Sequence, residues 1–108
     1  MMTINIQDFS EIDLRVAEIK AVEEHPDADK LLVLKIDTGD GEKQLVTGIK
    51  NHYSAEELVG KKIIIVNNLA PAVLRGVESQ GMLLAARDSD KVVLLTTEKD
   101  VEPGSRVQ

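Results

Sequence analysis

Apolar and polar residues alternate along much of this chain in short runs, and the runs predict strands. Residues 14–23 place Leu14, Val16 and Ile19 on one side, with a slip of phase near Ala17 and Glu18. That pattern predicts a long first strand with a bulge. His25-Pro-Asp-Ala-Asp29 ends it, because proline lacks a backbone donor and aspartate favours turns. Residues 32–37 predict a second strand, and the two glycines in residues 38–41 suit a hairpin turn. Residues 44–48 predict a third. The period then changes. Ser54 and Glu57 stand three apart, as in a capping box, and predict a short helix through Leu58 that stops at Gly60. Residues 62–66 predict a fourth strand and residues 82–86 a fifth. A turn at Ser89-Asp90 leads into an apolar run at 92–95, and Pro103-Gly104 marks a last turn before Val107.

Three strands, a short helix and two more strands follow the order of an OB-fold. The expected fold is therefore all-β with one or two short helices: a five-stranded Greek-key barrel with terminal extensions. One domain spans residues 1–108, with the barrel at about 13–87 and a C-terminal extension at about 88–108. An OB-fold binds ligands on strands 2 and 3, between the loops joining strands 1–2 and 4–5. Here those loops are residues 25–30 and 67–81, the two most unusual segments in the chain.

The run Leu74-Arg-Gly-Val-Glu-Ser-Gln-Gly-Met82 joins a turn with two glycines to an apolar strand. Arg75, Ser79 and Gln80 supply a cation, a hydroxyl and an amide for sugar or phosphate oxygens. Met82 offers adaptable apolar surface. On residue chemistry alone, a loop whose glycines only satisfy turn geometry is the favoured reading of the run. Lys30, after the first loop, is a second cation at the barrel rim, in a segment that Asp27 can also shape as a plain turn. Asn51, His52 and Tyr53 follow the third strand.

Composition narrows the chemistry. There is no cysteine, the two histidines lie apart, and Asp27 and Asp29 lack the glycine and glutamate of a calcium loop, so no metal or other cofactor is expected. No serine sits in a nucleophile elbow, and Glu56-Glu57 belong to a helix start, so no catalysis is expected. No apolar run reaches the ~18 residues of a membrane span, which points to a soluble, cytoplasmic protein. The net charge is −6, but residues 30–87 carry eight bases against six acids. Phe9 and Tyr53 are the only aromatic residues. Stacking bases along a single strand is therefore excluded, and an RNA ligand would be read by shape, phosphates and 2′-hydroxyls.

These motifs resemble the tRNA-binding domain family. The resemblance rests on Asp8-Phe9, Asp13-Leu-Arg-Val16, His25-Pro-Asp-Ala-Asp-Lys-Leu31, Val46-Thr-Gly-Ile49, Tyr53-Ser-Ala-Glu-Glu-Leu-Val-Gly60, Asn68-Leu69, Pro71 and residues 74–86. The family includes the C-terminal domain or β subunit of methionyl-tRNA synthetase and stand-alone tRNA-binding proteins. It implies a non-catalytic OB-fold that binds the outside of folded tRNA, usually as a homodimer, with the synthetase catalytic chain as a further partner. Carried over by position, it implies contacts from Lys30, Arg75, Ser79 and Met82, and secondarily from Asn51 and Gln80. The chain departs from the pattern at Ala70 and Val73, where lysines are common. The competing expectation is a dimeric protein-interaction module, such as the secretion-related chaperones of the same family. The apolar runs at 62–66 and 92–95 also ask for cover on both faces, which a dimer would supply.

Overall fold

A computed structural model describes residues 1–108. The core strands are β1 (Leu14–Glu24), β2 (Leu32–Asp37), β3 (Glu42–Thr47) and β4 (Lys62–Val66), with helix α2 (Ala55–Leu58) between the last two. Helix α1 (Ile6–Ser10) precedes them. Beyond β4 come the hairpin β5 (Ala72–Leu74) and β6 (Val77–Ser79), then β7 (Met82–Leu83). A second hairpin, β8 (Ala85–Asp88) and β9 (Lys91–Leu94), leads to β10 (Arg106–Val107). The main sheet runs β3-β2-β1-β4-β7, all antiparallel, with β10 added to β1. It curls into a nearly closed five-strand barrel, the OB-like architecture expected.

Period-two burial builds the core. Leu32, Leu34 and Ile36 of β2 point inward with Ile19, Leu45, Ile63, Ile65 and Leu83, and Leu58 of α2 plugs one side. The capping box forms as predicted: Ser54 Oγ accepts from the Glu57 amide, and the Glu57 carboxylate accepts from the Ser54 amide at 2.9 Å. The bond from the Ser54 amide, and then one the Ser54 hydroxyl donates to the same carboxylate at 3.1 Å, hold the Glu57 carboxyl below its ordinary range. The bulge in β1 lies between Ile19 and Ala21, slightly later than the phase slip suggests. Ala17 faces the core and Val16, on the other face, is buried as well; β4 pairs along one edge of β1 there, and Gly104 and Ser105 bond to Val16 along the other.

Three elements differ from the sequence pattern. The predicted fifth strand breaks at Leu84, whose amide donates to Ile64 and whose carbonyl accepts from Leu95. The remainder of that strand, β8, leaves the barrel to pair with β9. The 67–81 loop contains the β5–β6 hairpin. Ile63, Ile64 and Ile65 are all buried within the chain, and residues 96–101 bond to β4 at Lys62. Thr96 Oγ1 donates to the Lys62 carbonyl at 2.7 Å, and Lys62 Nζ donates to Asp100 Oδ1 at 2.6 Å and to the Val101 carbonyl at 2.8 Å. That contact raises the Lys62 pKa and lowers that of Asp100.

Candidate functional site

β1, β2 and β3 end together where Glu24 pairs with Leu32 and Leu32 with Thr47. The 25–31 loop sits at this end of the barrel. The β5–β6 hairpin lies along β3 and brings its tip to the same place. Its turn, Arg75-Gly76, has both residues at positive φ, 53° and 86°. A two-residue hairpin loop of that hand matches strand twist, and glycine fits its second position without strain. Arginine at the first is unusual, because a side chain there costs roughly 1–2 kcal/mol.

Two hydrogen bonds tie the tip to the loop, and a third braces the loop itself. His25, 5% exposed, donates from Nε2 to the Leu74 carbonyl at 2.9 Å. Its Nδ1 accepts the Asp27 amide at 2.9 Å. These two partners fix a neutral ring with its proton on Nε2. Arg75 then donates from one terminal nitrogen to the Asp27 carbonyl at 3.1 Å. Lys30 is exposed in the same loop. Lys50 is close by and is paired with Glu24. At this end of the barrel the three cations Lys30, Lys50 and Arg75 thus stand with the three carboxylates Glu24, Asp27 and Asp29.

The other expected contacts divide. Ser79 is 5% exposed; its hydroxyl accepts the Val46 amide at 3.0 Å and donates to the Gly81 carbonyl at 3.1 Å. Gln80 exchanges two bonds with Gln44: its amide donates to the Gln44 carbonyl at 2.8 Å, and its Oε1 accepts the Gln44 amide at 2.9 Å. The Gln44 side chain adds a bond to the Glu78 carbonyl at 2.8 Å. Both residues thus join the hairpin to β3 and close the barrel. Met82 is exposed beside a groove of about 320 Å³ whose apolar lining includes Val46, Leu69, Ala70, Ala72 and Leu74. Asn51 lines a different cleft, of about 460 Å³, between Tyr53 and the β8–β9 turn; the Tyr53 hydroxyl there accepts the Leu94 amide at 3.1 Å.

The chain over residues 14–106 matches the model of the family described as "Putative tRNA binding domain". It belongs to that family. The chain is 49% identical over all 108 residues to part of a methionine–tRNA ligase of Thermococcus kodakarensis, and spans 15% of that enzyme's length. Among solved structures, the MetRS-related protein of Pyrococcus horikoshii superposes with a TM-score of 0.94 at 39% identity, covering all of both chains. The CsaA chaperone protein of Picrophilus torridus superposes with a TM-score of 0.91 at 39% identity, covering 98% of this chain and all of that one. This member of the tRNA-binding domain family thus resembles both a segment of a synthetase and small separate proteins.

Two features of this tRNA-binding domain escape sequence reasoning. The His25 side chain is one, although its place before Pro26 in a tight turn is a usable signal. The other is the Asn67-Asn68 clamp at the opposite end. Asn68 accepts the Asp13 amide at 2.8 Å and donates to the Glu11 carbonyl at 2.7 Å. Asn67 donates from its side chain to Asp13 Oδ2 at 3.0 Å. The Asn67 bond, followed by the Arg15 guanidinium 2.7 Å away, holds the Asp13 carboxyl below its ordinary range against the opposing effect of burial.

Proposed function

We propose that this domain binds folded tRNA by shape and backbone, at the end of the barrel formed by the 25–31 loop and the hairpin tip. The observation that carries the reading is Arg75: a strained backbone presents a guanidinium at the rim, as functional sites do. Arg75 and Lys30 contact phosphates, Met82 adds apolar surface from the groove beside the hairpin, and Asn51 adds a polar group from its own cleft. Ser79 and Gln80 serve indirectly, by seating the hairpin on β3. The domain works as part or partner of a methionyl-tRNA synthetase.

It also forms a homodimer. Support comes from apolar side chains that the chain leaves uncovered: Ile4, Ile6, Phe9 and Ile12 around α1, and Val93 and Leu95 after the second hairpin. A two-fold interface would bury such a set against its own copy. Light scattering at micromolar concentration should return about twice the 11.8 kDa chain mass, and the chain mass alone would remove the dimer.

Titration of bulk tRNA at rising salt tests the main reading. Each phosphate neutralised steepens the salt dependence by roughly 0.7–0.9. The few unpaired rim cations predict a slope of only a few phosphates. Saturable binding with that slope supports the reading, and affinity insensitive to salt refutes it. A second reading, capture of extended polypeptide, has its own observation: the apolar groove between Val46 and Met82, with Leu69 and Leu74 exposed in its lining. Binding of an apolar peptide in place of tRNA, abolished by Met82→Glu, would favour it.

A further inference from the structure

His25, Asp27, Leu74 and Arg75 close a ring. From the His25 imidazole one bond crosses to the Leu74 carbonyl; the next residue, Arg75, reaches back to the Asp27 carbonyl; and the Asp27 amide returns to the imidazole. The residues come from two loops 48 apart in sequence. We infer that His25 is a positioning residue for RNA: it holds the hairpin tip so that the Arg75 guanidinium faces the ligand in one fixed pose. The inference rests on the tRNA-binding reading above.

Three observations support it. First, the imidazole is buried while the group it positions is exposed, so the histidine shapes the rim without touching the ligand. Second, both ring nitrogens are committed, one within its own loop and one across to the hairpin. A residue needed only for its own turn would use the first bond alone. Third, Arg75 spends one guanidinium N–H on the Asp27 carbonyl and keeps four of its five donors for a ligand. A side chain already held loses less freedom on binding.

The two nitrogens can be separated by substitution. His25→Asn keeps an acceptor near the Nδ1 position for the Asp27 amide but is too short to reach Leu74. His25→Gln places an amide donor near Nε2 and can keep the bond between loops. Both variants, Arg75→Ala and the His25→Asn/Arg75→Ala double variant are compared with wild type. The readouts are 15N relaxation of the Arg75 side chain in the free protein and bulk-tRNA affinity at two salt concentrations. His25→Asn should raise the mobility of the Arg75 guanidinium, weaken tRNA binding by about tenfold and lower the salt slope by roughly one phosphate. His25→Gln should stay within about threefold of wild type. In the Arg75→Ala background, His25→Asn should change affinity by less than about twofold, because residues acting through one another are not additive.

Equal losses in His25→Asn and His25→Gln, or an undiminished loss in the Arg75→Ala background, overturn the inference while tRNA binding by wild type stands. If wild type binds no tRNA, the functional reading fails by itself. The relaxation data then decide whether His25 orders Arg75, and an Arg75 equally mobile in wild type and His25→Asn overturns that too. Thermal melts of each variant separate loss of the bond from loss of the fold.

Discussion

Ser79→Ala separates a structural role from a ligand-binding one. The serine hydroxyl is the sole side-chain partner of the Val46 amide, and both groups lie under the hairpin, with Val46 7% exposed. Alanine fits the space but leaves a buried N–H without an acceptor, and water cannot replace the hydroxyl there without lifting the hairpin. Stranding a buried donor costs about 1–3 kcal/mol. The second bond, to the Gly81 carbonyl, favours the middle of that range. About 2 kcal/mol at roughly 5 °C per kcal/mol for a chain of this size gives a melting point about 10 °C lower. Calorimetry on the folded domain reads this directly. At a temperature where the variant is fully folded, tRNA affinity should fall less than about threefold, since other bonds still hold the hairpin. A variant that melts within about 2 °C of wild type but binds tRNA tenfold more weakly would refute the assignment and make the hydroxyl an RNA contact.

Three further predictions follow from named geometry. Arg75→Asn should melt at or slightly above wild type, by up to about 1 kcal/mol, because asparagine tolerates positive φ; tRNA affinity should fall by the ~1.5–3 kcal/mol of a charged contact, and a lower melting point would show that the arginine is structural. Gly39→Ala should cost about 2–4 kcal/mol by urea unfolding, because φ is 89° and a Cβ would lie 2.5 Å from the Pro103 carbonyl oxygen; Gly48→Ala, with 3.7 Å to Leu31, should be near neutral, and equal costs would contradict the packing. The Asp13 carboxyl titrates below its ordinary value of 3.8, so its charged form stabilises the fold above that pH and the contribution disappears as pH falls through the lowered value. Asp13→Asn should therefore lose urea resistance at about pH 6 but match wild type at the acid end, and a gap that did not narrow would place its cause elsewhere.

Much of the fold was readable from the residues. Leu32, Leu34 and Ile36 declare an inward face by their spacing, and Ser54 with Glu57 declares a helix start, because these signals are local. The β5–β6 hairpin was not readable in the same way. Its strands are three residues each, and its stability comes from Gln44 and Val46 on β3, more than thirty residues earlier. The 82–86 run misled because residues on both sides of Leu84 are apolar; only the pairing of Ala85 with Leu94 shows where the chain leaves the barrel. The sequence marks Ser79 and Gln80 as candidate contacts but cannot tell that their polar atoms are spent on β3 and Gly81. His25 was legible as a residue and silent as a connection, because its partner at Leu74 is a backbone carbonyl and carries no side-chain signature.

β1 has a consequence for how this domain is joined to others. Leu14 pairs with Val66 on one edge and Val107 on the other, so the chain enters and leaves the barrel at one spot. Glu24, where the same strand delivers the chain to the 25–31 loop, is ten residues away, roughly 30 Å for an extended backbone. The domain therefore has a handle at the end of the barrel away from the proposed tRNA-binding loops. Polypeptide attached at either terminus hangs from the handle, and tether length can change without crowding the loops. That arrangement suits a family whose members occur both as a segment of a large enzyme and as small separate chains.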